Sequence, residues 1–88
     1  MKILFDQRFH RDFARWKKAG WDMRALDQFI LDTEHSWPLS AKYEVHPLKG
    51  ALRGVWDAHI RENWVVLFAK DGDTITLLQT GTHAYLGI

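Results

Sequence analysis

Residues 55–80 read VWDAHIRENWVVLFAKDGDTITLLQT, and this stretch decides the fold class. Apolar and polar side chains alternate over residues 55–60, which predicts a strand with two distinct faces. One face presents Trp56, Ala58 and Ile60, and the other presents Val55, Asp57 and His59. Residues 64–69 are all apolar, as expected of a buried strand.

A turn and a third strand complete the stretch. Asp71-Gly72 can supply the positive φ angles of a tight hairpin, and β-branched side chains are frequent in residues 74–80. Ahead of the stretch, residues 43–45 predict a further short strand. The C-terminal half of the chain is therefore expected to form a mainly antiparallel sheet.

The N-terminal half shows the periodicity of helices. Residues 2–5 predict a first strand, and Asp6 is a suitable N-cap for a helix that runs to about Ala19 and ends at Gly20. Aromatic rings share one face of this helix: Phe9, Phe13 and Trp16. Basic side chains occupy a separate arc, the basic stripe: Arg8, Arg11, Arg15 and Lys18. The stripe is either a solvated surface or a contact for an anionic partner.

A second helix follows. Asp22 is its N-cap, and the helix fades before Pro38 because the residue that precedes a proline disfavours helix. Its inward stripe is Met23, Leu26, Phe29, Ile30 and Thr33. The predicted order is β-α-α-β-β-β-β, an α+β fold with an N-terminal strand and a helical hairpin packed on one face of a mainly antiparallel twisted sheet. A chain of 88 residues has room for one domain, residues 1–88.

The composition is that of an ordinary globular protein, with 47% hydrophobic and 26% charged residues. The absence of cysteine excludes disulfides, thiol catalysis and cysteine zinc ribbons. No apolar run approaches the roughly 20 residues of a membrane helix, so we expect a cytoplasmic protein. Residues 1–24 carry seven Lys and Arg against three Asp, and this asymmetry favours an anionic partner for that part of the chain.

Histidines are the most informative polar residues of the chain. His46, His59 and His83 all lie in the sheet half, and Asp57 leaves the same strand face as His59, about 6.5–7 Å away. His83 follows Gly81, which would let the backbone turn where the chain leaves the sheet. Because histidine titrates near neutral pH, such a cluster can supply both a general base and a general acid. The two remaining histidines, on or beside helices, are expected at the surface: His10 and His35.

Other chemistries are less favoured. A three-histidine zinc site is a competing interpretation, but its spacing matches no recognised ligand pattern, and a strand aspartate can orient imidazole without metal. We therefore expect no metal and no cofactor. The sequence contains no Gly-x-Ser-x-Gly elbow and no phosphate-cradling glycine loop. The loop that carries Lys49 and Arg53 beside His46 is either a phosphate contact or a solvated loop.

Four ordered motifs resemble the YafQ branch of the RelE/ParE toxin superfamily: HPLKG at 46–50, DAHI at 57–60, Trp64, and TGTHA at 80–84. The ordered set is much more specific than any single motif. The helical hairpin and the later strands also fit, so the resemblance covers essentially the whole chain.

The resemblance implies a RelE-like fold and a type II toxin that acts as a ribosome-dependent endoribonuclease, or mRNA interferase. It also implies a cognate antitoxin, a toxin monomer within a toxin–antitoxin hetero-oligomer, and no membrane partner. Such enzymes attack phosphorus with the 2′-hydroxyl of the RNA itself. The implied catalytic positions are His46, Asp57, His59 and His83, with His46 and His83 as the acid–base pair in either order.

RNA or phosphate contacts are expected from Lys49, Arg53, Gln79 and Tyr85, the last as a ring on which a base can stack. The basic stripe would meet the ribosome or the acidic antitoxin.

Three positions depart from the family pattern. Gln79 stands where the branch usually has an Arg that contacts the scissile phosphate, Asn63 replaces an acid, and Trp56 replaces an Arg. Loss of one phosphate cation would cost roughly 10²–10³ in rate unless Lys49 or Arg53 compensates. An alternative is therefore a catalytically weakened or inactive binding module that keeps the antitoxin or ribosome contacts. A gyrase-directed toxin of the ParE type is a third interpretation, against which the histidine motifs argue.

Overall fold

The computed structural model describes residues 1–88. Five strands and three helices follow in this order: β1 (Lys2–Phe5), α1 (Gln7–Lys18), α2 (Met23–His35), β2 (His46–Pro47), β3 (Trp56–Arg61), β4 (Trp64–Asp71), β5 (Thr74–Gly81) and α3 (His83–Leu86). Short 3₁₀ turns lie at Ala41–Tyr43 and Gly50–Leu52. No helix combines the length and apolarity that a membrane crossing requires.

The five strands form one mixed sheet in the order β1-β5-β4-β3-β2. β1 runs parallel to β5, with Lys2 opposite Thr74 and Phe5 opposite Leu77, whereas all other neighbouring strands are antiparallel. The hairpin between β4 and β5 turns at Gly72, whose φ of 58° is left-handed. The predicted α+β class and mainly antiparallel sheet are confirmed.

The hydrophobic core lies between the helices and one face of the sheet. α1 contributes Phe9, and α2 contributes Leu26 and Phe29, each at most 1% exposed. The sheet contributes alternate residues of its central strands: Ala58, Ile60, Trp64, Val66, Phe68, Ile75 and Leu77. This alternation confirms the two predicted faces of β3, with Ala58 and Ile60 toward the core and Asp57 and His59 on the opposite face.

Aspartates cap both long helices, as predicted. Asp6 Oδ1 accepts a hydrogen bond from the backbone N–H of Arg8 at 2.8 Å, and Asp22 Oδ1 accepts one from that of Arg24 at 3.2 Å. Each arginine also donates through its side-chain Nε to the same oxygen, at 3.0 and 2.9 Å. These bonds favour the charged carboxylate and hold the pKa of both aspartates below its ordinary value. Gly20, with φ of 89°, follows the end of α1.

The predicted strand at residues 43–45 is wrong. Ala41–Tyr43 is a 3₁₀ turn, and Glu44 after it is left-handed, with φ of 45°. The turn is anchored because Tyr43 is buried and its hydroxyl donates to the Asp32 carboxylate. Strand pairing in this part of the chain is limited to the two residues of β2, which pair with β3.

Side chains of α1 complete the edge of β5. Pairing with β1 stops at Leu77, so the backbone of β5 beyond that residue has no neighbouring strand on this side. Asp12 Oδ2 accepts a hydrogen bond from the N–H of Thr80 at 3.0 Å, and Trp16 Nε1 donates to the Thr80 carbonyl oxygen at 2.8 Å. Asp12 is only 3% exposed, so these side chains replace a missing strand partner in the interior.

Gly81 does not make the predicted turn. It is the last residue of β5 and has no left-handed φ. A Cβ atom at this position would lie 2.6 Å from Tyr85 Cδ2 and 3.1 Å from Trp16 Cζ2. The glycine is needed because it lets two aromatic rings approach the backbone.

Candidate active site

Three histidines from three elements meet on the sheet face opposite the core. His46 lies on β2, His59 on β3, and His83 at the start of α3. The ring centroids of His46 and His59 are 6.2 Å apart, and those of His59 and His83 are 5.4 Å apart. The structure thus assembles the three predicted side chains into a histidine row, with His59 in the middle.

Asp57 places a buried carboxylate beside the first of these rings. It lies opposite His46 in the register of β2 and β3, and its Oδ1 is 3.7 Å from His46 Nδ1. Asp57 is 8% exposed, and Oδ1 has no hydrogen-bond partner in the chain. Because an unpartnered buried carboxylate is costly, this oxygen is available to balance positive charge on the neighbouring imidazole.

Asn63, in the turn between β3 and β4, fixes the orientation of His83. Its Oδ1 accepts a hydrogen bond from the backbone N–H of His83 at 3.1 Å, which identifies this atom as the oxygen of the amide. The same Oδ1 lies 2.8 Å from His83 Nδ1, so Nδ1 must be a protonated ring nitrogen. In a neutral His83, the lone pair is therefore on Nε2.

The middle ring is held by a backbone carbonyl. His59 Nδ1 lies 3.3 Å from the carbonyl oxygen of Glu44. A carbonyl oxygen only accepts, so Nδ1 of His59 donates. His59 and His83 consequently share one tautomer when neutral, with Nε2 left for a ligand.

Three of these side chains could also hold a metal ion. One ligand atom each from His46, Asp57 and His59 lies within 4.8 Å of the other two. Two imidazoles and a carboxylate match the donor set of catalytic transition-metal sites, in which a further position is open to water or substrate. The set differs from the three-histidine site considered from the sequence, because Asp57 takes the place of His83.

The expected phosphate-binding residues fall into two groups. Lys49 and Arg53 are exposed on the loop between β2 and β3, close to His46 in the chain, and form no ion pair. Gln79 and Tyr85 lie elsewhere, on β5 and α3. The structure therefore does not gather these four side chains into one site.

Three of the four residues of the basic stripe line the same surface cavity as Gln79 and Tyr85. A surface cavity of about 320 Å³ is lined by Arg8, Arg11, Asp12, Arg15, Gln79 and Tyr85, and we call it the arginine cavity. Lys18 is exposed near the end of α1 and does not line it. Three stripe residues and two expected RNA contacts thus form one surface, which the sequence did not predict.

Sequence reasoning missed two supports of the site, Asp12 and α3. Asp12 falls three residues after Phe9 and four before Trp16, so it lies on the apolar face of α1. A charge in that position signals a buried partner. α3 has only four residues, too few to show periodicity, although its N-cap Thr82 and its left-handed Gly87 are recognisable end signals.

The similarity to known proteins extends over nearly the whole chain. Residues 1–87 match the family of the bacterial toxin of type II toxin–antitoxin system, YafQ. The mRNA interferase toxin YafQ of Escherichia coli strain K12 is 31% identical over 85 residues, which are 96% of this chain and 92% of that protein. The crystal structure of YafQ from E. coli strain BL21(DE3) has a TM-score of 0.89 and 29% identity, covering 97% of this chain and 96% of that one. The crystal structure of the E. coli DinJ-YafQ complex matches with a TM-score of 0.86 and 30% identity. The match covers 97% of this chain and 96% of that one.

Proposed function

This chain belongs to the YafQ family of bacterial type II toxins, and we propose that it is an mRNA interferase, an endoribonuclease that cleaves ribosome-bound mRNA in the cytoplasm. The observation that carries the proposal is the histidine row of His46, His59 and His83, with the Asp57 carboxylate beside it. Imidazoles that meet on an open face can exchange protons with a bound RNA near neutral pH.

The nucleophile in the proposed reaction is the 2′-hydroxyl of the RNA. Its oxygen forms a bond to phosphorus while the bond from phosphorus to the 5′-oxygen of the next nucleotide breaks, which leaves a 2′,3′-cyclic phosphate. A general base takes the proton of the 2′-hydroxyl, and a general acid gives a proton to the departing 5′-oxygen. Two imidazoles in opposite protonation states meet both needs.

His83 is suited to the role of general base. Asn63 accepts the hydrogen of Nδ1 and so leaves the lone pair on Nε2. Because the amide is neutral, it fixes this tautomer without adding charge. The lone pair of Nε2 can then accept the proton of the 2′-hydroxyl.

His46 is suited to the role of general acid. Its Nδ1 faces the buried carboxylate of Asp57, which can balance the charge of an imidazolium. His59, between the two outer rings, can donate from Nε2 to a non-bridging phosphoryl oxygen when it is protonated. Lys49 and Arg53, exposed on the loop that follows His46, are the proposed cations for a phosphate on that side.

A cognate antitoxin and the ribosome are the proposed partners of residues 1–88, which act as one toxin domain. The likeness to YafQ in the DinJ-YafQ complex supports an antitoxin partner. The basic stripe of α1 supports contacts with ribosomal RNA phosphates or with an acidic antitoxin segment.

His83→Ala tests this function, and His35→Ala is the matched control because it removes an exposed histidine at the end of α2. Each protein is induced in cells to equal soluble amounts, and mRNA 5′ ends are mapped by primer extension. We expect the wild type and His35→Ala to arrest growth and create new ends. In His83→Ala, cleavage should fall on the order of 10²–10⁴-fold, the contribution of a positioned base.

Equal cleavage by His83→Ala and the wild type would refute the catalytic assignment. A wild type that binds ribosomes or antitoxin but cuts no mRNA would instead favour the alternative, a binding module of this family without the chemistry.

A further inference from the structure

The arginine cavity adjoins the histidine row through two elements. His83 and Tyr85 are two residues apart on α3, so this short helix borders both sites. Gln79 lies in the same cross-strand row as Asp57, because both pair with Leu67 from its opposite sides. A strand spacing of about 4.8 Å separates these two side chains by roughly 10 Å. A chain-like ligand in the histidine row could therefore continue into the arginine cavity.

The cavity is built around a buried carboxylate that is fully engaged. Asp12 Oδ2 accepts a hydrogen bond from the N–H of Thr80 at 3.0 Å, and Asp12 Oδ1 accepts one from the Tyr85 hydroxyl at 2.6 Å. The second bond raises the pKa of Tyr85, so the hydroxyl stays protonated and keeps donating. Asp12 thus holds Tyr85 in place.

Two guanidinium groups remain available to a ligand. Arg8 pairs with Asp6 at 3.0 Å, whereas Arg11 and Arg15 form no ion pair. The Arg15 guanidinium lies 5.1 Å from the centroid of the Tyr85 ring. Such a cation–π contact orients the guanidinium while its N–H groups stay free. Tyr85 is itself 41% exposed, so part of its ring is open to solvent.

We propose that the arginine cavity binds one nucleotide of single-stranded RNA, with its phosphate on Arg11 and Arg15 and its base against Tyr85. Guanidinium groups bind phosphate oxygens in pairs, and an exposed aromatic ring is a platform on which any base can stack. The amide of Gln79 offers a donor and an acceptor to the sugar or the base edge. The inference rests on the proposed function for RNA as substrate and adds to it a nucleotide subsite beside the scissile bond.

An acidic protein segment is the other polyanion that these arginines could hold. RNA is favoured because the cavity joins its cations to the exposed ring of Tyr85, and because His83, the proposed general base, lies two residues from Tyr85 on α3. Stacking on the ring has no equivalent in a run of Asp and Glu side chains.

A fluorescent 2′-O-methyl RNA separates this subsite from catalysis, because it lacks the nucleophilic hydroxyl and cannot be cut. Fluorescence anisotropy gives its Kd at several salt concentrations. We expect Arg11→Ala and Arg15→Ala each to weaken binding roughly tenfold and to lower the salt slope by about 0.7 for the lost phosphate contact. Arg24→Ala is the control, because Arg24 is an exposed arginine on α2 that pairs only with the N-cap Asp22. The Kd of this variant should equal that of the wild type.

Two Tyr85 variants test the stacking. Tyr85→Phe keeps the ring and should retain most of the affinity, whereas Tyr85→Leu should lose several-fold, in line with the contribution of base–aromatic stacking. Equal affinity of the Tyr85→Leu and Tyr85→Phe variants for the RNA would contradict the proposed stacking of the base on Tyr85.

The arginine variants decide the inference itself. Wild-type affinity and salt slope in both Arg11→Ala and Arg15→Ala would overturn it, and so would a wild type that does not bind the RNA. Loss of antitoxin affinity with intact RNA binding would assign the cavity to the protein partner. A wild type that binds this RNA through the cavity but never cuts mRNA would refute the proposed function and leave the subsite standing.

Discussion

Asn63 controls the tautomer of His83 through a single oxygen atom. Its Oδ1 accepts both the backbone N–H and the Nδ1–H of His83. Asn63→Ala removes both bonds, so the ring can rotate and either nitrogen can carry the proton. We expect mRNA cleavage to fall about 10²-fold, the typical cost of a misplaced catalytic group. The measurement is single-turnover cleavage on purified ribosomes at several pH values.

Asn63→Asp distinguishes positioning from mere structural support. The carboxylate can accept the same two hydrogen bonds, so cleavage should be retained. Its negative charge favours the imidazolium, so His83 should need a higher pH to become a base, and the acidic limb of the pH–rate profile should move upward. An Asp variant with the wild-type profile would contradict the role assigned to His83.

The partners of the histidines could not be predicted from the sequence, although the histidines could. Residue type and position in the sheet half were enough to group His46, His59 and His83 with Asp57. The carbonyl of Glu44 and the amide of Asn63 are different, because they lie 15 and 20 residues from the rings that they hold. Such partners depend on the register of the strands and on turn geometry.

At the scale of elements, side chains of α1 make the hydrogen bonds to the end of β5 that a neighbouring strand would otherwise make. Asp12→Ala would leave the N–H of Thr80 without an acceptor in the interior and would release the Tyr85 hydroxyl. We expect the free energy of unfolding to fall by about 1–3 kcal/mol, the cost of an unsatisfied buried donor. Urea denaturation measures the loss, and Asp12→Asn, which keeps one acceptor oxygen, should lose less. An unchanged midpoint for Asp12→Ala would show that α1 does not support this edge.

The long elements could be predicted because their end signals are local. Asp6 and Gly20 marked the two ends of α1, and Asp22 marked the start of α2, each to within about one residue. β2 could not be found in the same way, because a strand of two residues exists only through its pairing with β3. Ala41–Tyr43 forms a turn where a strand was predicted, because Tyr43 is buried against Phe29 and its hydroxyl donates a hydrogen bond to Asp32 of α2.

For the whole molecule, acid should weaken the fold through its aspartates. The pKa of Asp6 and of Asp22 is held below its ordinary value mainly by an arginine side chain, and that of Asp32 mainly by the Tyr43 hydroxyl. A pKa that is lower in the folded than in the unfolded state stabilises the fold above the unfolded pKa. That contribution is lost as the pH falls through the folded values. We therefore expect the free energy of unfolding to decline below about pH 4, near the ordinary pKa of aspartate.

Urea unfolding at a series of pH values measures this decline. Asp6→Asn with Asp22→Asn keeps a side-chain acceptor at each N-cap but removes both titrating groups. The double variant should show a shallower decline than the wild type. A decline of equal steepness would mean that other carboxyl groups dominate acid unfolding.

The parallel pairing of β1 with β5 joins a segment that the ribosome makes early to one that it makes late. Lys2 pairs with Thr74, so the first strand has no partner until about 70 further residues have been synthesised. Asp12 and Trp16 likewise await Thr80, and His83 follows it in the chain. A nascent polypeptide that stops short of β5 has neither a closed sheet nor a complete histidine row. Activity that depends on the complete histidine row therefore requires synthesis to proceed through β5 to His83.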